Sequence, residues 1–131
     1  MSEQELREEI ISVVDELYSR EMITPTGGNI SVRITDQEEA FLITPSMLYK
    51  GALKPESIVK VNCKGKACER RQRPSVETPV HLAVYVAYPE IEAVIHCHAK
   101  RCIALGLVSG DRKSTRLNSS HLGISRMPSS A

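Results

Sequence analysis

Ile30-Ser31-Val32-Arg33-Ile34 and, just beyond it, Ala40-Phe41-Leu42-Ile43-Thr44 decide the fold class. In the first run, apolar residues alternate with Ser31 and Arg33, the period-2 pattern of a strand with one buried face. The second reads as a strand joined to the first by a hairpin. A third short strand is expected over 58–62, turned by CKGK at 63–66 into a charged edge segment that ends near Arg73. Strands that follow one another without an intervening helix favour an antiparallel sheet over a parallel one.

On the N-terminal side, Leu6, Ile10, Val13, Val14 and Leu17 form one apolar helical stripe. Ser2 and Glu5 have the spacing of a capping box, and the helix is expected to run to about Arg20. TPTGGN at 24–29 reads as a loop. On the C-terminal side, PSVETP at 74–79 announces a helix, with Thr78 as cap, Pro79 at the first helical position and Val80, Val84 and Ala87 as the buried stripe. Tyr88-Pro89 stops it. A strand over 91–99 and a helix over 100–108 follow, and Ser109-Gly110 ends that helix. The class is α/β with a mainly antiparallel sheet.

The chain has 131 residues, 41% hydrophobic and 25% charged, the balance of one soluble globular domain. A formal charge of +1 gives no field that would attract nucleic acid or lipid, and no apolar stretch reaches the roughly 20 residues of a membrane helix. With an acidic N-terminus unlike a signal peptide, the expected location is the cytoplasm, and Cys63, Cys68, Cys97 and Cys102 are expected as reduced thiols. Residues 111–131 are serine-rich and show no periodicity that anchors to a core, so they read as a disordered tail, and the foldable portion is 1–110. From Arg112 onward the tail resembles translated sequencing-adapter or vector sequence appended to unrelated proteins. Removing the tail's four bases and one acid leaves 1–110 mildly acidic, at −2.

The chemistry concentrates at Val94-Ile95-His96-Cys97-His98. Residues i and i+2 of a strand share a face, so His96 and His98 bring two imidazoles over one spot, suited to zinc or another divalent transition metal. A hydrogen-bonded histidine pair is the plain alternative, and a metal site needs a further donor. Ile95, Cys97 and Ala99 continue an apolar row on the opposite face, which packs Cys97 away from such a site. Glu77 stands at a helix start just after Ser75, where it either caps the helix or serves a site. TGGNIS at 26–31 has the donors to wrap a phosphate but not the spacing of a Walker loop, and alone it is a turn. The basic run from Lys60 to Arg73 reads as a solvated hairpin, with phosphate or nucleic-acid contact as the alternative.

In this order, GGNIS at 27–31, LITPS at 42–46, RPSVETPVH at 73–81 and EAVIHCHA at 92–99 together resemble the class II aldolase/adducin family, most closely its L-fuculose-1-phosphate aldolase type. The resemblance implies a three-layer α/β/α fold with a mainly antiparallel central sheet, truncated here to the N-terminal half of a chain roughly twice as long. It implies that His96 and His98 hold a zinc ion, and that Glu77 both reaches the metal and shuttles a proton. It implies that Gly28, Asn29, Ser46 and Ser75 hold a substrate phosphate.

The implied reaction is cleavage of a phosphorylated ketose, such as fuculose 1-phosphate, to dihydroxyacetone phosphate and an aldehyde, with the metal stabilising the enediolate. A ribulose-5-phosphate 4-epimerase, a methylthioribulose-phosphate dehydratase and a non-catalytic adducin-like association domain are the family's alternatives. A homotetramer, with no nucleic-acid or membrane partner, is implied for the full-length protein, and the truncated chain is expected to be inactive. Val76 and Met47 stand where the family often has a small hydroxyl residue and a glycine. His121 falls in the suspect tail and is not taken as the third ligand.

Overall fold

A computed structural model describes residues 1–34, 40–109 and 121–123. Helix α1 (Glu3–Ser19) begins at the expected capping box: the Ser2 hydroxyl accepts from Glu5 N–H while the Glu5 carboxylate accepts from Ser2 N–H. Strands β1 (Asn29–Ile34), β2 (Ala40–Ile43) and β3 (Val59–Asn62) follow, then α2 (Thr78–Ala87), β4 (Ala93–Cys97) and α3 (Lys100–Ser109), with β5 (His121–Gly123) last. Single 3-10 turns at Lys50–Ala52 and Pro55–Ser57 shape the link from β2 to β3. The sheet order is β3-β2-β1-β4-β5, every pairing antiparallel.

The alternation in β1 divides the core. Ile30 packs with Ile10 and Val14 of α1 and with Ile23, Leu42 and Ile58, joined by the half-buried Val32, Ile34, Ile95 and Cys97. The other sheet face presents Phe41, Ile43, Val59, Val61 and Val94 to Val84 and Tyr85 of α2. Helices therefore cover both faces, as the three-layer expectation requires, and Cys97 lies on the apolar α1 side. Burial, with a smaller contribution from Cys102, raises its thiol above the ordinary range.

Four sequence expectations are corrected. The N-cap position of α2 is Glu77 rather than Thr78, whose hydroxyl donates instead to the Ser75 carbonyl at 2.6 Å. The buried stripe of α2 is Thr78, His81, Val84 and Tyr85, while Val80 and Ala87 are exposed. The helix is rotated because its inward polar groups find partners in the sheet, so burying them carries little penalty. The fourth strand is shorter than 91–99, ending where His98 N–H turns to the Met22 carbonyl at 2.7 Å. Within 111–131, read as a tail, residues 121–123 form β5, which pairs His121 with Cys97, Leu122 with His96 and Gly123 with Ile95. Three residues are too few for a periodic signal. The other residues of that segment, and 35–39, lie outside the described residues.

Two backbone positions near the β1 and β2 ends have left-handed φ. Gly28 (φ 86°) leaves no room for a side chain: a Cβ would lie 2.4 Å from Ile23 Cγ2 and 3.1 Å from the His96 carbonyl oxygen. Met47 (φ 61°) adopts the same region without that excuse and is exposed. The left-handed region costs a non-glycine residue about 1–2 kcal/mol, so Met47→Gly is expected to raise the urea midpoint. Gly28→Ala is expected to lower it by a larger amount, because backbone strain and overlap add. Equal midpoints for both variants and the parent would refute the assignment.

Candidate functional site

One cleft of about 190 Å³ is lined by Gly28, Asn29, Ser46, Ser75, Glu77, His96 and His98, bringing together every site residue expected from sequence. The register explains the meeting. Asn29 and His96 are cross-strand partners in β1 and β4, and residues directly opposite in an antiparallel pair present neighbouring side chains on one face. Glu77, at the start of α2, reaches over that pair. Its Oε2 accepts from Asn29 Nδ2 at 2.6 Å and is hydrogen-bonded to His96 Nδ1. The Glu77 side chain makes no capping bond to its own helix, so the sheet claims the carboxylate that the helix start could have used.

The serines come from two segments clamped side by side. Ser46 N–H donates to the Arg73 carbonyl at 2.9 Å and Ser75 N–H to the Thr44 carbonyl at 3.2 Å. The Ser75 hydroxyl accepts from Glu77 N–H at 3.3 Å. Next to them lies Lys50, which sequence reading passed over. It is 4% exposed and lines the cleft, and no carboxylate among the described residues pairs with it. Lys50 N–H donates to the Pro25 carbonyl at 3.1 Å, which ties its 3-10 turn to the TGGN loop. Burial lowers its ammonium below the ordinary lysine range. A single lysine in the irregular segment between two strands carries no pattern, so only the fold reveals it.

The expected metal donors meet only in part. The His96 and His98 ring centroids are 5.2 Å apart. His96 is 3% exposed, and its Nε2 is buried with no hydrogen-bond partner, a lone pair whose desolvation is uncompensated. With Nδ1 fixed by a carboxylate, that is the usual situation of a metal-binding imidazole, and the donor set fits a divalent transition metal. Among the described residues, however, no group of three or more His, Cys, Asp or Glu side chains is arranged to hold an ion, since Glu77 is turned to His96 Nδ1. The Asn29 side chain is likewise committed: its Nδ2 goes to Glu77 and its Oδ1 to His81 Nε2, 2.5 Å away.

Sequence reading also missed the buried groups behind the cleft. His81 Nδ1 meets the Ser31 hydroxyl at 2.7 Å, and the same hydroxyl meets the Tyr85 phenol at 2.7 Å. Burial, then the nearby His96, depress His81 to about 4 against the opposing pull of Glu77. The RPSVETPVH motif contained His81, and the alternation in β1 placed Asn29, Ser31 and Arg33 on one face; their mutual pairing was the missing link.

Residues 8–128 match the family model described as the class II aldolase and adducin N-terminal domain. The chain is 41% identical over 102 residues to 5-methylthioribulose-1-phosphate/5-deoxyribulose-1-phosphate aldolase of Escherichia coli, covering 78% of this chain and 46% of that protein. It is 34% identical over 105 residues to methylthioribulose-1-phosphate dehydratase of Pseudomonas syringae, covering 80% and 50%. The solved L-fuculose-1-phosphate aldolase of Thermus thermophilus superposes with a TM-score of 0.69 at 32% identity, covering 81% of this chain and 52% of that one. The chain spans about half the length of the curated relatives it matches.

Two expectations follow. Because the folded value of His81 lies below its unfolded value, its contribution is complete above about pH 6.5 and is lost as pH falls toward 4. The loss is at most about 3 kcal/mol at 1.36 kcal/mol per unit, read from urea midpoints across that window; His81→Gln flattens the profile. Lys50→Met is expected to weaken inorganic phosphate binding roughly tenfold, the loss of one charge-assisted contact. In the parent chain that binding is expected to fade at a lower alkaline pH than an ordinary lysine would allow. Unchanged phosphate affinity in Lys50→Met would show that its ammonium makes no anion contact.

Proposed function

The chain belongs to the class II aldolase and adducin family, and from that premise we propose that it builds the phosphate-anchoring and metal-holding half of a zinc-dependent aldolase site. That site cleaves a ketose 1-phosphate to dihydroxyacetone phosphate and an aldehyde. One observation carries the reading. An uncompensated buried cation beside two serines and an unpartnered imidazole nitrogen beside a carboxylate line a single cleft. The first pair suits a phosphate and the second a metal with a proton carrier.

In this reading Lys50, Ser46 and Ser75 bind the phosphate, together with the backbone of Gly28 and Asn29, so binding energy remote from the reacting carbon serves alignment. His96 and His98 would hold the ion, which supplies Lewis-acid stabilisation of the charge developing on the ketose oxygens. As the carbon–carbon bond breaks, a hydroxyl proton passes to water and its carbon becomes the aldehyde. The electron pair stays with the phosphorylated fragment, and the Glu77 carboxylate, having taken up a proton from water, delivers it to that carbon. A methylthioribulose-phosphate dehydratase is the second reading, supported by the 34% identity to a relative of that name. It uses the same anchor and the same carboxylate, and differs in which bond breaks.

Calorimetric titration with dihydroxyacetone phosphate, with and without Zn2+, tests the shared core of both readings. Binding is expected to tighten when the ion is present, and His96→Ala is expected to abolish that zinc dependence. Dihydroxyacetone without its phosphate should not bind measurably. Equal binding of the phosphorylated and unphosphorylated compounds would contradict the reading.

A further inference from the structure

His81 and Tyr85 lie outside the cleft, yet their polar atoms connect end to end with its carboxylate. The direction of each hydrogen bond can be deduced. A carboxylate only accepts, so the Asn29 group facing Glu77 is the amide nitrogen, and the amide orientation is settled. Asn29 Oδ1 then accepts, so His81 Nε2 must carry a hydrogen. Burial keeps His81 neutral, which makes Nδ1 a lone pair, and the Ser31 hydroxyl must donate to it. Having used its hydrogen, Ser31 Oγ accepts from the Tyr85 phenol, which burial holds protonated. Tyr85 is itself fixed: the Arg33 guanidinium stacks 4.6 Å from the ring centroid and donates to the Tyr85 carbonyl at 2.9 Å.

We propose that Tyr85, Ser31, His81 and Asn29 form a one-way chain of hydrogen bonds that positions the Glu77 carboxylate, with His81 locked as its Nε2–H tautomer. All four donors point toward the cleft, and such chains polarise each link in the same sense. The chain ends on Glu77 Oε2, the oxygen that also meets His96, so both partners hold the same carboxylate oxygen. Ser31 and His81 are fully buried, and Asn29 and Tyr85 nearly so, so no water competes for the links. These are positioning residues: none lies where substrate binds except Asn29, whose side chain is spent on the chain. The inference rests on the proposed function only in giving Glu77 a proton to move; the order of the hydrogen bonds stands apart from it.

The test is long-range proton–nitrogen NMR of the histidine rings and of the Asn29 side-chain amide in the 131-residue chain near pH 7, without metal or substrate. His81 is expected as a single Nε2–H tautomer with a hydrogen-bonded Nδ1. Ser31→Ala should move the His81 Nδ1 resonance to that of a free lone pair. Tyr85→Phe, which loses one oxygen and no shape, should shift the Asn29 amide signal three links away. Glu77→Gln should shift the His81 ring signals in return. A His81 Nδ1–H tautomer, or an Asn29 amide unmoved in both Ser31→Ala and Tyr85→Phe, would overturn the proposal. Because the readout needs no ligand, failure of dihydroxyacetone phosphate binding with this chain intact would count against the proposed function alone.

Discussion

The antiparallel register that sets Asn29 opposite His96 is the constraint on which the site depends. A slip of one residue would turn the side chains of the slipped strand to the opposite face, so that Asn29 or His96 would point into the cluster of Ile10, Val14, Ile23 and Leu42. Glu77 would then lose one of its two partners. The register is held from both sides of the sheet. Ile30 and Val32 bury on one face while Ser31 is tied to His81 and Tyr85 on the other, so hydrophobic burial and polar satisfaction select the same alignment. Gly28 completes the constraint, since only a residue without a side chain lets the strand begin this close to the His96 carbonyl.

Polar burial here is arranged outward from that register. The α2 helix turns a mixed face, His81 and Tyr85 among Thr78 and Val84, toward the sheet. In an unpaired setting each buried hydroxyl or imidazole would cost on the order of 1–3 kcal/mol. Linked end to end they avoid that cost and fix one helix rotation. Among the described residues, the Lys50 ammonium has no carboxylate partner and two buried side-chain atoms have no hydrogen-bond partner, His96 Nε2 and Gln72 Oε1; Lys50 and His96 line the cleft and Gln72 does not. Buried polar groups left without partners are uncommon, and two of these three share one cleft.

Much of this was legible from residues alone. Alternation around Ile30 and Val32, the Ser2 capping box and the Tyr88-Pro89 stop placed α1, the first strands and the end of α2, because each is a local signal. His96 and His98 followed from period 2, and the spaced motifs brought Glu77, Gly28, Asn29, Ser46 and Ser75 to one place. The rotation of α2 was misread because apolar counting rewards Val80 and Ala87 and cannot see that Ser31, 50 residues earlier in the chain, satisfies His81. Lys50 escaped for a similar reason: its burial comes from the 3-10 turn and the TGGN loop folding together, a tertiary event with no local trace. The place of Glu77 at the helix start was open between capping and chemistry; in the structure its carboxylate makes no capping bond and pairs with Asn29 and His96.

The account makes the cleft a joint site for a metal ion and a phosphate, and anomalous diffraction from crystals of the chain grown with Zn2+ and dihydroxyacetone phosphate tests that claim most directly. The prediction is one zinc peak at bonding distance from both His96 and His98, with the phosphate against Ser46, Ser75 and Lys50. Zinc bound instead at Cys63 and Cys68, or a phosphate away from Lys50, would contradict it.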